Sequence, residues 1–246
     1  MNSMIEWEDD AVILRVTPHG ENSAVAILLT HEHGKHAGFV RSANSRGTRG
    51  FLELGNRVRV TWKARLLEHL GNYKIDLVKS VASNFFDDPL KMMGLTAVVS
   101  IAEEALPDRE PAPEIYHGLL ALMSTMLTED VEVWLAAYIR WEIGFLSESG
   151  FSLDLERCAV TGTNENLVFV SPKSGRAVSA SVGNKYRTRL LALPGFLTQK
   201  GFKGRKEFTD GLKLTEYFLS KHIFGSYNKP IPKARERFFE FVEKSL

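Results

Sequence analysis

RVRVTWKARL, Arg57 to Leu66, alternates between two kinds of side chain. Val58, Val60, Trp62 and Ala64 fall on one face, and Arg57, Arg59, Lys63 and Arg65 fall on or beside the other. A period of two is the signature of a strand with one buried and one wet face. Four further β-rich runs surround it: Ala11 to Val16, Ala24 to Leu29, His36 to Arg41 and Tyr73 to Val78, with Glu32-His33-Gly34-Lys35 as a tight turn. Five strands in roughly 80 residues suit a small closed barrel, for which a five-stranded OB-fold β-barrel is the commonest answer. An SH3-like barrel shares the pattern. Residues 1–85 are therefore expected to form an OB-fold nucleic-acid-binding domain.

Past Asp87-Asp88-Pro89 the period changes to that of helices. Leu95, Val98, Val99, Ala102 and Leu106 mark one helix, and Ile115, Leu119, Leu122, Met123 and Met126 a second. Asp130 is placed to cap a third, which runs to Leu146 and stops at Gly150, a residue free to take positive φ. Leu167 to Val170 and Ala177-Val178 then read as a small hairpin knuckle at about residues 156–180. Asn184 to Leu193, Thr209 to Phe224 and Pro232 to Lys244 read as helices. The expected fold class is α+β, with residues 86–246 a mainly helical domain interrupted by the knuckle.

The 246 residues are 44% hydrophobic and 25% charged, the composition of a chain with a real core. No apolar run nears the roughly 20 residues of a membrane span. MNSMIEWEDD lacks the apolar stretch of a secretory signal. Met4 is as plausible a start as Met1. One cysteine excludes an internal disulfide and fits a reducing, cytoplasmic compartment. The net charge of +1 conceals segregation. Residues 35–79 carry ten bases against three acids, residues 87–157 four against fourteen, and residues 158–246 sixteen against seven. Two basic blocks flank an acidic one, which points to a polyanion surface.

The loop Ser42-Ala43-Asn44-Ser45-Arg46-Gly47-Thr48-Arg49-Gly50 adjoins the basic strand in sequence. Its Gly and Ser residues leave backbone amides available, and Arg46 and Arg49 can reach phosphates. With Lys35, Arg41, Lys63 and Arg65, these are the expected DNA contacts, charge tracking the backbone while Phe39, Phe51, Trp62 or Tyr73 stack on bases. The competing reading is a solvated strand face with its aromatics in the core, and Trp62 lies on the apolar side. Arg205 and Lys206 are candidates for a second contact. His31, His33 and His36 sit around a tight turn from which side chains diverge, so no metal site is expected. Cys158 reads as a small buried thiol rather than a nucleophile. No phosphate-binding or hydrolase motif occurs, so neither an enzyme nor a cofactor is expected. Arg140, in an otherwise acidic and apolar helix, could fork onto the carboxylate of a partner peptide, or pair internally with Glu142 or with an acid on a neighbouring helix.

The order of parts resembles a known family. Gly20-Glu21-Asn22-Ser23, Leu29-Thr30, Gly34-Lys35 and Gly38-Phe39-Val40-Arg41 come first. Leu54-Gly55-Asn56-Arg57-Val58, Trp62 to Leu66 and Asp88-Pro89-Leu90 follow. Arg140-Trp141-Glu142, Gly150-Phe151, Leu153-Asp154-Leu155, Cys158 to Gly162 and Val170 to Ser179 complete the set. Together they resemble the bacterial DNA repair proteins of the RecO family, in a form like that of α-proteobacteria, over nearly the whole chain. The resemblance implies a recombination mediator that binds single- and double-stranded DNA and anneals complementary strands. It implies a complex with RecR that helps load RecA, and cytoplasmic, nucleoid-associated work. It also implies binding of the acidic, Phe-ended tail of single-strand binding protein, with Arg140 matching the Arg of an Arg-aromatic-Glu segment. Two departures stand out. Family members with four knuckle cysteines bind zinc, whereas here only Cys158 remains, so packing of Leu167, Phe169 and Val178 must hold the hairpin. The family's Gly-Ala-Arg is replaced by Ser42-Ala43-Asn44, which removes one basic contact or shifts it to Arg46. The alternative is a protein-interaction adaptor without direct DNA binding.

Overall fold

The computed structural model describes residues 4–45, 47–48, 50–198 and 201–245. It divides into two compact units, residues 1–123 and 124–246. The first opens with five strands: β1 (Ile5–His19), β2 (Ser23–Thr30), β3 (Gly34–Val40), β4 (Arg57–Ala64) and β5 (Asn72–Lys79). They close in the order β1-β2-β3-β5-β4, with β1 pairing with both β2 and β4. Only β3 and β5 run parallel among these pairs, joined at Phe39↔Asn72 and Val40↔Tyr73. This is the five-stranded, OB-fold-like barrel that the alternation implies.

The inward row of β4 is the apolar row of the sequence: Val58, Val60, Trp62 and Ala64 are all buried. They pack with Ala11, Ile13, Ala26, Leu28, Tyr73 and Ile75. Trp62 is 0% exposed and donates its indole N–H to the Leu70 carbonyl at 2.9 Å. Gly71, at φ +66°, lies under that ring, and a Cβ there would come within 2.3 Å of the indole nitrogen. Any other residue at Gly71 would force Trp62 or the Lys63 backbone to shift while also straining the turn. Leu14 is the extra residue of a bulge where β1 bends from one neighbour to the next.

Asp88 caps α1 (Pro89–Ala105) by accepting the Lys91 amide at 3.0 Å, with Pro89 at the first helical position. Next comes α2 (Pro113–Thr128). In the second unit, α3 (Val131–Glu148) ends before Gly150, whose φ of +88° is the expected stop. The knuckle has three strands, β6 (Leu167–Val170), β7 (Ala177–Ser179) and β8 (Leu191–Ala192), in the order β7-β6-β8. The expected helix over Asn184 to Leu193 does not form. The chain makes one turn of helix, α4 (Ala180–Gly183), then a 3₁₀ stretch over Asn184–Arg189, and then enters β8. The unpaired edge of β6 takes up this strand through Phe169↔Ala192 and Val170↔Leu191, a non-local gain that local periodicity does not report. Leu167 and Val178 are buried and Phe169 is half-buried. The Phe169 ring packs so closely on Gly183 that a Cβ there would lie 2.4 Å from it. The unit finishes with α5 (Lys206–Phe218), a π-helical turn over Leu219–Phe224, and α6 (Lys233–Ser245).

Candidate nucleic-acid interface

The outward row of β4 faces the outward row of β1. The register sets Lys63 opposite Glu6, Thr61 opposite Glu8 and Arg59 opposite Asp10. The Lys63 ammonium lies 2.9 Å from Glu6. Arg59 forks onto Asp10, with Nε and Nη2 each donating at 3.0 Å, and sits 3.8 Å from Glu8. The Asp10 hydrogen bond and charge hold the Arg59 pKa above its usual value. Exposed cross-strand pairs of this kind are worth about 0–1 kcal/mol, yet they cancel the field that a phosphate would feel. Arg59 and Lys63 of the basic strand face are thus neutralised by acids contributed by the neighbouring strand, whereas Arg57 stands opposite Val12.

Lys35 is also engaged. Its side chain is only 13% exposed; the ammonium donates to the Glu103 carbonyl at 2.8 Å and lies 3.1 Å from Asp108. It fastens β3 to the end of α1 and the connector beyond. Trp62 and Tyr73, two of the four rings considered for stacking, are core residues, 0% and 6% exposed. Tyr73 shares a 2.9 Å hydrogen bond with His36, whose burial, with the nearby Arg109 charge, lowers its pKa to about 4. Burial likewise pushes the Tyr73 hydroxyl above its usual range. Phe39 and Phe51 are half-buried. The three histidines point to three different partners: His31 to His117 at 3.2 Å, His33 to Asp9 at 3.1 Å, and His36 to Tyr73.

Arg41 and Arg65 differ from the rest. Both are exposed, and among the described residues neither has an ion-pair partner. The register brings them to one end of the barrel. Arg41 follows Val40, the partner of Tyr73; Arg65 follows Ala64, whose neighbour Lys63 pairs with Asn72. Both therefore flank the first residues of β5. The loop leaving Arg41 is tied down at its start, Ala43 donating its amide to Asn22 at 2.8 Å and Asn44 its side chain to Glu21 at 2.6 Å. Arg46 and Arg49 lie outside the described residues.

Arg109 is a further cation without a carboxylate partner among the described residues, though it stands in the acidic block of the sequence. Its backbone holds φ +61°, and its guanidinium donates to the carbonyls of Leu67, Glu68 and His69 in the β4–β5 loop. Carbonyl acceptors leave the positive charge uncancelled, unlike the carboxylates on Arg59 and Lys63. The Pro-rich connector around it is the one hint in the sequence, since a chain segment fixed by prolines can hold such a side chain in place.

In the second unit Arg140 neither pairs with Glu142 nor stands free. Its Nη2 donates to the Phe196 carbonyl at 2.6 Å, and the guanidinium lies 5.6 Å from the Phe196 ring centroid. Phe196 packs in turn on Phe208 at 5.7 Å. A guanidinium has five N–H donors, so the fork retains capacity for a carboxylate. Glu142 is instead buried with Arg235. Arg235 Nη2 donates to Glu142 Oε2 at 3.2 Å and to the Leu212 carbonyl at 2.8 Å, and Thr215 donates its hydroxyl to the same carboxylate. Burial works against the charge on Arg235, and Glu142 more than restores it. Arg205 lies 4.0 Å from Glu132. Cys158 is 1% exposed and accepts the Ser179 amide at 3.3 Å; burial would raise the thiol, but hydrogen bonds from Ser179 and Thr161 bring it down to about 6. Among the described residues no group of three or more His, Cys, Asp or Glu side chains is placed to share a metal ion.

Comparison with known proteins adds independent findings. Residues 4–81 match the family model described as recombination protein O N terminal, and residues 86–230 match recombination protein O C terminal. A protein of Rhodospirillum centenum named DNA repair protein RecO is 45% identical over 243 residues, 98% of this chain and 96% of the relative. One of Rhodospirillum rubrum with the same name is 41% identical over 98% of both chains. A third, from Phenylobacterium zucineum, is 44% identical over 94% of this chain and 95% of its own.

Proposed function

This chain belongs to the RecO family of DNA repair proteins, and on that premise we propose that it is a recombination mediator whose barrel binds the DNA backbone. The observation that carries the reading is the pair of uncompensated arginines, Arg41 and Arg65, flanking the start of β5, with Arg109 bound to the β4–β5 loop that follows Arg65. Arg46 and Arg49, outside the described residues, are kept as proposed contacts on the sequence alone. Lys35 and Lys63 are left out of it, because their ammonium groups already have carboxylate partners. Contacts to phosphate are indifferent to sequence and to pairing, which suits both single- and double-stranded DNA. Annealing then needs no covalent step: two strands whose charge is neutralised approach, and their bases pair. In this reading the protein acts with RecR in helping to load RecA, and works in the cytoplasm at the nucleoid. Among the described residues no helix is long and apolar enough to cross a membrane.

The expected result is steep salt dependence. Fluorescence anisotropy with two unrelated single strands should give log K falling linearly with log salt, with a slope of about −0.7 for each phosphate contact. Both sequences should give the same slope. A slope near zero, or binding to one sequence only, would overturn the proposal.

A second reading has its own support. The β4–β5 loop exposes Leu66, Leu67 and Leu70 at 49%, 62% and 42%, a surface suited to a protein partner. A pure adaptor would bind that partner with no affinity for DNA at any salt.

Arg140 is proposed as the anchor for the tail of single-strand binding protein. Its open N–H groups would take a carboxylate of the tail. Arg140→Ala is expected to weaken a peptide of that tail about tenfold, as for loss of one charge-assisted contact. DNA affinity should not change; an unaltered peptide affinity rejects the assignment.

A further inference from the structure

We propose that Lys185 to Arg189 form a second single-strand contact, an inference that rests on reading the chain as a DNA binder. Between Glu165 and Glu207 the sequence holds nine Lys and Arg and no Asp or Glu. No other part of the chain is so long without a carboxylate. Within this stretch Arg176 is paired with Asp154 at 3.1 Å, and Arg205 lies 4.0 Å from Glu132. Lys185, Arg187 and Arg189 differ. Each is exposed, and among the described residues none has an ion-pair partner.

Three of the five residues from Lys185 to Arg189 are cations, and all three are exposed. Asn184–Arg189 is 3₁₀, broken at Tyr186 by φ −121° and ψ 16°, and none of its side chains is buried. The three cations fall within five consecutive residues, close enough in the chain to meet neighbouring phosphates of one strand. The segment is held at both ends. Gly183 packs under the Phe169 ring on one side, and on the other Leu191 enters the sheet opposite Val170. The cations therefore stand on a fixed platform.

Tyr186 decides which polyanion fits. It is 53% exposed and stands between Lys185 and Arg187. A projecting ring beside cations gives an unpaired base a face to stack on, a face that a duplex hides and an acidic peptide does not need. A chain with one contact on the barrel and another here can hold two strands at once, which annealing requires and a single contact does not provide.

The test uses the full-length protein and a labelled oligothymidine of about ten nucleotides, within the site sizes known for one such surface. The wild type should bind two equivalents at low salt. Lys185→Glu with Arg187→Glu and Arg189→Glu should bind one equivalent and anneal complementary strands at least tenfold more slowly. Tyr186→Ala keeps the charges and should weaken the second equivalent roughly five- to tenfold. Circular dichroism confirms folding, and Tyr186→Ala provides a second variant should the triple one misfold. Two equivalents on the triple variant, or annealing at the wild-type rate, would overturn the proposal. So would a wild type that binds one equivalent, in which case the barrel contact survives. A wild type that binds none would bring down the functional reading itself. Loss of an acidic-peptide contact with oligonucleotide binding intact would make the segment a protein site.

Discussion

Arg235→Met is expected to cost the second unit about 3–5 kcal/mol, the range for removing one partner of a buried ion pair. Both Arg235 and Glu142 are 0% exposed, so the remaining carboxylate would have neither a counter-charge nor water. Thr215 would still donate to Glu142, but one hydroxyl does not replace a guanidinium bonded through two nitrogens. The loss should also free α6, because Arg235 is what ties that helix to Glu142 on α3 and to the Leu212 carbonyl on α5. Phe238, which stacks on Trp134 with centroids 6.2 Å apart, should then loosen, so Trp fluorescence reports the event. Urea unfolding followed by fluorescence and circular dichroism checks this. The double change Glu142→Leu with Arg235→Met removes both charges and should recover most of the stability, since apolar replacements of buried pairs are often neutral. A single variant within 1 kcal/mol of the wild type would show that the pair contributes little.

The sequence carries a faint sign of this pair. Arg235 sits three and seven residues before Phe238 and Val242, on the apolar stripe of the last helix. Glu142 is in the same position on α3, four residues after Tyr138 and three before Phe145. A charge on a buried stripe asks for a partner, but periodicity does not say which one. The barrel was legible for a related reason. The alternation in β4 is strict, and its inward row is buried residue for residue. The state of the charges was not legible. Lys63, Arg59 and Lys35 look as basic in the sequence as Arg41 and Arg65 do. What separates them is strand register, which sets β1 acids opposite two of them and brings Asp108 to the third. Register arises from contacts far apart in sequence. Arg109 was hidden in the same way, since its surroundings are acidic in sequence but its guanidinium lies on carbonyls. The helix expected over Asn184 to Leu193 gave way to β8, whose pairing with the β6 edge joins residues some twenty positions apart that local periodicity does not connect.

The central claim is that uncompensated arginines at the start of β5, rather than the basic row of β4, meet the DNA backbone. Arg41→Ala with Arg65→Ala removes two such charges. Two lost phosphate contacts, each contributing a salt exponent of about 0.7, amount to about 25-fold in affinity at 0.1 M salt. The salt slope should become shallower by about 1.4. Neither side chain is buried or bonded to an acid, so stability should stay within about 0.5 kcal/mol of the wild type. Arg59→Ala with Lys63→Ala removes the same number of charges, but from residues that Asp10 and Glu6 already neutralise. Its effect on affinity should be less than threefold.

The most direct measurement is the salt slope of single-strand binding for these two double variants beside the wild type. A slope shallower by about 1.4 for Arg41→Ala/Arg65→Ala, and unchanged for Arg59→Ala/Lys63→Ala, is the predicted result. The reverse order, with the β4 variant losing slope and the Arg41/Arg65 variant keeping it, would contradict the account.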